Sequence, residues 1–177
     1  MPSFALVPGR ITLHLGDITT DVEADGVVNA ANPRLLGGGG VDGAIHRAAG
    51  SSVLRECRLL GGCEVGEAKI TGAGRLAAQF IIHAVGPVWH GGRGEEPARL
   101  ESCYRAAIAL ASAHGCERVA FPAISTGAYG YPVEQAAALA INATHAAMSV
   151  NPGVRAARFW LFDRQTHDVF SEALRRA

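Results

Sequence analysis

Lysine is nearly absent from this chain of 177 residues: of its 16 basic residues only Lys69 is a lysine. Charge of either sign is sparse, at 18% against a usual value of about 25%. The 16 basic and 16 acidic residues cancel to a formal net charge of zero. That argues against a broad electrostatic footprint for duplex nucleic acid or an anionic membrane. Any anion bound here must be held by local geometry. Aromatic residues are scarce too, at 6%, which leaves little for base stacking along a single strand. The four cysteines, Cys57, Cys63, Cys103 and Cys116, contain no C-x-x-C pair. A disulfide framework or zinc ribbon is a poor fit, and small core residues in a reducing cytoplasm are expected. The start of the chain lacks a basic segment followed by a long apolar one, so no signal peptide is expected. The longest late uncharged stretch, 135–154, contains Gln135, Asn142, His145, Asn151 and Pro152. It fits a buried helix and its exit loop, not a membrane span.

What is abundant is apolar surface and glycine. Hydrophobic residues make up 49%, enough for a sizeable core, and the length suits one domain over 1–177. Glycine accounts for 22 of 177 residues, about 12% against a usual value of about 7%. The glycines have no G-X-Y period and cluster in short loops between apolar runs, where backbone can approach a ligand.

Strand and helix patterns alternate. Ile11, Leu13 and Leu15 alternate with Thr12 and His14, as in a half-buried strand. Gly26–Ala31, 67–71, 80–85, 118–124 and 157–162 read as further strands. Residues 42–49 read as a short helix, and Ser51 or Ser52 is expected to cap the next. Pro97 suits the first turn of a helix over 97–114, Pro132 opens an alanine-rich helix, and 166–176 closes the chain as another. In that last helix Asp168 near the start and Arg175 and Arg176 at the end suit the dipole. Such alternation predicts an α/β domain with a largely parallel sheet covered on both faces. Ligands of such sheets bind beyond the carboxyl ends of the strands.

The segment 72–77, GAGRLA, matches a dinucleotide-binding pattern and follows a strand. The next strand begins too soon to leave room for a helix, so a hairpin turn is the better reading. Two other glycine loops are more informative. Gly37, Gly38, Gly39 and Gly40 lie between a strand and a helix start, and either cradle an anion with backbone N–H groups or form a plain surface loop. Ser125, Thr126, Gly127, Ala128, Tyr129 and Gly130 repeat the arrangement after another strand, without the G-K-[ST] of a P-loop. Two such loops together suggest one shared diphosphate, with neutral donors and helix dipoles in place of lysines. Asn32 and Asp42 bracket the first loop. They either reach a ribose or a water beside the phosphates, or serve as a turn former and an N-cap. Asp17 either caps the next element or accepts a bond from an exocyclic amine; Phe162 either stacks on a base or joins the core. His46, His83, His90 and His145 show no metal-binding spacing. There is no G-x-S-x-G elbow, and Ser125 has no evident base partner.

With these residues in view, the chain resembles the macrodomains, specifically the MacroD-type bacterial enzymes acting on O-acetyl-ADP-ribose and mono-ADP-ribosylated proteins. The matching stretches are GDIT at 16–19, VVNAANPRLLGGGGVDGAIHRAAG at 27–50, VGPVW at 85–89 and FPAISTGAYGYP at 121–132. The resemblance implies a three-layer α/β/α fold with a mixed, centrally parallel sheet and a cleft for ADP-ribose. It places Asp17 and the backbone of Ile18 at the adenine, with Phe162 stacking on it. It wraps Ser125, Thr126, Gly127, Ala128 and Tyr129 around the diphosphate, with Tyr129 beside the distal ribose. Gly40 and Val41 would touch the same part, Asn32 would orient that ribose, and Asp42 would be the catalytic carboxylate. It implies no metal and no cofactor.

Three readings of function compete. One is a metal-independent hydrolase that releases acetate from O-acetyl-ADP-ribose or ADP-ribose from acidic side chains. Another is a module that binds ADP-ribose without turnover, which needs the loops but not Asp42. An RNA-binding domain is the third, with little charge or stacking to support it. On the hydrolase reading nucleic acid enters only as an ADP-ribosylated end, and a monomer is expected.

Overall fold

The computed structural model describes residues 9–177. Its strands are β1 (Arg10–Leu15), β2 (Gly26–Ala31), β3 (Ala68–Gly72), β4 (Phe80–Val85), β5 (Arg118–Phe121) and β6 (Ala156–Leu161). They form one sheet in the order β1-β6-β5-β2-β4-β3. Five strands run parallel, and only β3, at an edge, pairs antiparallel with β4. The central strands β2 and β4 are near-continuous apolar runs because both their faces are covered. The opposite edge strand, β1, alternates and is only half-buried.

Helices α1 (Gly40–Ala49) and α2 (Ser51–Leu60) cover one face. Ile45, Val53 and Cys57 pack there on Val27, Ile81 and Val85. Helices α3 (Glu96–Ala113), α4 (Val133–Val150) and α5 (Arg164–Arg176) cover the other, where Leu100, Ile141 and Phe170 meet Val28, Ile82 and Phe159. The architecture is the expected three-layer α/β/α sandwich around a mixed, centrally parallel sheet. All four cysteines are buried and unpaired. No helix among the described residues is long and apolar enough to cross a membrane.

Several boundaries differ from expectation for physical reasons. β5 ends at Phe121, not at residue 124. Pro122 has no N–H for the ladder, and the Ile124 N–H turns instead to the buried Tyr104 hydroxyl at 3.2 Å. Neither Ser51 nor Ser52 caps α2; Gly50 joins it directly to α1 with φ 89° and no side-chain cap. α5 begins at Arg164, with Asp163 capping the Thr166 N–H at 2.8 Å. The 72–77 segment is a hairpin connection between antiparallel β3 and β4, as its length required.

Candidate active site

Because β1, β6, β5, β2 and β4 are parallel, their carboxyl ends lie along one edge of the sheet. Every candidate follows one of those ends: Asp17 and Ile18 after β1, Asn32 to Asp42 after β2, Ser125 to Tyr129 after β5, and Phe162 after β6. A hollow of about 390 Å³ between α4 and α5 includes none of these residues. A second hollow, of about 300 Å³, borders Leu36, Gly37 and His46 beside the first loop.

The first loop is built to leave donors free. Gly39 is the N-cap of α1 and offers no side chain, so the first N–H groups of the helix receive no side-chain cap. Gly40 sits at φ 57°, where a side chain would be strained. Asp42 is therefore the third residue of α1 and not its cap. Asn32 shapes the loop from below: its Nδ2 donates to the Gly37 carbonyl at 2.9 Å, and its Oδ1 accepts from the Arg34 N–H at 3.1 Å. Both candidate side chains flank Gly38, where a Cβ would lie 3.1 Å from Asp42 Oδ2 and 3.5 Å from Asn32 Nδ2.

The second loop reaches over the first. β2 lies between β5 and β4 in the sheet. The Tyr129 carbonyl, in the loop after β5, accepts from the Trp89 N–H, beyond β4, at 2.8 Å. The loop thus spans the end of β2, where Asn32 emerges. Tyr129 senses Asp42: burial and the Asp42 charge together push its hydroxyl up. Ser125 takes φ 68°, a strained value for a residue with a side chain, and its buried Oγ has no partner among the described residues. Internal bonds from Gly130 N to Gly127 O and Tyr131 N to Ser125 O hold the loop closed. Among the described residues, the Gly127, Ala128 and Tyr129 amides have no acceptor.

At the other end of the edge, Asp17 Oδ1 accepts from the N–H and hydroxyl of Thr19 at 2.9 and 2.7 Å. It thereby caps a 3-10 turn, Ile18–Thr20. Ile18 is buried beneath, whereas Phe162 stands 80% exposed, so it is no core residue. The sequence reading missed what anchors this end. Buried Asp21 accepts from Arg158 Nε at 2.8 Å and Trp160 Nε1 at 2.7 Å, and from the Glu23 and Ala24 amides. Burial pushes the Asp21 carboxyl up, but these donors outweigh it and leave it below the usual range. Its stabilisation is therefore present above the ordinary carboxylate range and fades as pH falls through the lowered value. Asp21→Ala leaves Arg158 its second partner, Glu23 at 2.8 Å, but takes the acceptor from the Trp160 Nε1–H and the Ala24 amide, and is expected to cost about 1–3 kcal/mol in urea unfolding at neutral pH.

A second missed group lies behind Asp42. Asn29 on β2 and His83 on β4 are partners in register, and both are fully buried. Asn29 Nδ2 donates to Asp42 Oδ1 at 2.8 Å. His46 Nε2 lies 3.3 Å from the same oxygen, near enough for attraction but misaligned for a hydrogen bond. The sequence did carry a signal: Asn29 and His83 each interrupt an apolar strand, GVVNAA and FIIHAV. His46, Cys57 and His83 bring ligand-type atoms within 4.8 Å of one another, a grouping that spacing did not reveal. Both His83 ring nitrogens already have hydrogen-bond partners, Asn29 and Thr71. Burial, with the Asp42 and Glu56 charges, pushes the Cys57 thiol up to about 11. Two of the three, Cys57 and His83, are therefore held neutral and hydrogen-bonded.

Burial, with His46 nearby, pushes His83 from 6.5 down to about 4. The unfolded chain binds this proton at a pH where the fold does not, so stability falls as pH drops from 6.5 toward 4. The loss is expected to reach about 3 kcal/mol. His83→Gln should flatten that part of a plot of urea midpoint against pH.

The Macro domain family model matches residues 28–140. A macro domain-containing protein of Chlorobaculum tepidum is 53% identical over 170 residues, covering 95% of this chain and 98% of that protein. O-acetyl-ADP-ribose deacetylase 1 of Pantoea vagans is 47% identical over 169 residues, covering 93% of this chain and 98% of that one. The Oceanobacillus iheyensis macrodomain with ADP superposes with a TM-score of 0.91 at 36% identity, covering 97% of this chain and 93% of that one. The Trypanosoma brucei macrodomain in complex with ADP-ribose gives 0.86 at 37% identity, covering 96% of this chain and 73% of that one. With more than half the residues of one relative shared along nearly its whole length, and the same fold in solved members, this chain belongs to the Macro domain family.

Proposed function

We propose that this protein is a hydrolase that binds ADP-ribose and acts on O-acetyl-ADP-ribose, on mono-ADP-ribosylated acidic side chains of proteins, or on both. Asp17 and the Ile18 backbone hold the adenine, and Phe162 stacks on it. The amides of Gly40 and Val41 and those of Ser125, Thr126, Gly127, Ala128 and Tyr129 hold the diphosphate and the distal ribose, which Asn32 orients. Water sits between Asp42 and the ligand phosphate. Asp42 takes a proton from it as it attacks, releasing acetate from the acetylated sugar or the carboxylate of a modified Asp or Glu. A proton acceptor of this kind is worth about 10²–10⁴ in rate. The four buried thiols suit a reducing cytoplasm, where the protein acts as a monomer.

The single observation that carries this reading is the Asp42 carboxylate. It is 6% exposed, held by a dedicated donor, and flanks Gly38 together with Asn32. A module that only bound ADP-ribose would need the loops but no such group. The names of the relatives, an O-acetyl-ADP-ribose deacetylase and macrodomains with ADP or ADP-ribose, support the same chemistry. The test is turnover of O-acetyl-ADP-ribose and of a glutamate-modified protein beside ADP-ribose binding. Release of acetate or ADP-ribose is expected; tight binding with no release from either substrate contradicts the enzyme reading.

A further inference from the structure

Behind Asp42 runs a chain of polar side chains that the reaction above does not use. A carboxylate only accepts hydrogen bonds, so Asn29 must present Nδ2, not Oδ1, to Asp42 Oδ1 at 2.8 Å. The same Nδ2 lies 3.2 Å from His83 Nδ1, so that ring nitrogen offers its lone pair. A neutral imidazole carries one proton, which therefore sits on Nε2, 2.9 Å from Thr71 Oγ1. The Thr71 hydroxyl accepts it and donates in turn to the Gly72 carbonyl at 2.8 Å. A carbonyl cannot donate, so every hydrogen in the chain has one direction. The chain is sealed: Asn29 and His83 are 0% exposed and Thr71 4%.

Among the described residues Asn29 Oδ1 has no partner. With nothing holding that end, the amide's direction is set on its Nδ2 side, by Asp42 Oδ1 and the bare His83 Nδ1 together. A proton on His83 Nδ1 would confront the Asn29 N–H and work against the bond that Nδ2 gives Asp42. The titratable groups facing His83 are His46 from α1, with ring centres 6.0 Å apart, and Cys57 from α2, whose Sγ lies 3.6 Å from Nε2; Asp42 reaches it through Asn29.

We infer that His83 and Thr71 are positioning residues. Through Asn29 they hold Oδ1 of Asp42 and leave Oδ2 beside the first loop, where Gly38 meets it. The inference rests on Asp42 being the reacting carboxylate. Misorientation of that group is expected to cost on the order of tenfold in kcat, and up to a hundredfold.

The first measurement is ¹⁵N NMR of the histidines in the wild-type protein at neutral pH. It should show His83 protonated on Nε2 and bare on Nδ1; a proton on Nδ1 overturns the proposal. Thr71→Val, close in volume, should lower kcat for ADP-ribose release from a glutamate-modified protein about tenfold or more. Its ADP-ribose affinity should stay unchanged, and Thr71→Ser should restore the rate. Wild-type kcat in Thr71→Val overturns the proposal, and so does a rate that Thr71→Ser fails to restore. Asp42→Asn is assayed in parallel. If it is inactive while Thr71→Val is fully active, the positioning proposal alone fails. If Asp42→Asn is itself fully active, the Asp42 reading fails and takes the proposal with it.

Discussion

Asp42→Ala is expected to lower the release of ADP-ribose from a glutamate-modified protein by about 10²–10⁴-fold while leaving ADP-ribose affinity within a few-fold of wild type. On the proposed reading the two effects separate, because amides hold the diphosphate and a carboxylate takes the proton. Gly40, Val41 and the second loop keep their donors whatever stands at position 42. Alanine also leaves Asn29 Nδ2 without its acceptor at 2.8 Å, a loss of about 1–3 kcal/mol of stability. Asp42→Asn keeps an acceptor there and removes only the proton acceptor, so it should be equally inactive and better folded. Single-turnover rates with bound fractions measured separately are the check. Loss of binding in step with loss of rate would mean that Asp42 holds the ligand and is not a proton acceptor.

Gly127→Val should do the reverse. A Cβ at Gly127 meets nothing within 4 Å, and its backbone is not in the left-handed region. The fold alone therefore gives no reason for glycine at this position. The contrast is Gly86, where a Cβ would collide with Ile124 and with Ser125 Oγ, so that glycine serves packing. On the proposed function, what Gly127 keeps clear is room for the diphosphate against the loop's amides. Valine there should leave the urea midpoint almost unmoved, within about 0.5 kcal/mol. It should weaken ADP-ribose binding by about 100-fold, near 3 kcal/mol. Calorimetry on the two proteins tests this, and unchanged affinity would remove the second loop from the site.

The legible parts of this molecule were those set by local pattern. Gly26–Ala31 and Phe80–Val85 announced themselves as buried strands because apolar runs of that length serve few other ends. The hairpin at 72–77 followed from spacing alone, and the two glycine loops from their place between strand and helix. What stayed hidden depends on which strands become neighbours. Asn29 meets His83 only because β2 pairs with β4, and Thr71 joins them because β3 adds antiparallel to β4. Asp21 meets Arg158 and Trp160 because β6 pairs with β1, 137 and 139 residues away along the chain. Local competition explains the misread boundaries. Serines at 51 and 52 are good caps, yet the tight junction at Gly50 puts both inside the helix. Ala123 and Ile124 fall outside β5 for a simpler reason in the sequence itself: Pro122 follows Phe121, and a proline cannot extend the ladder.

If both loops grip one diphosphate, backbone amide spectra recorded through a single titration with ADP-ribose will show it. The amides of Gly39, Gly40 and Val41 and those of Thr126, Gly127 and Ala128 should shift together, with one midpoint. Shifts confined to one loop, or two loops responding with separate midpoints, would contradict it.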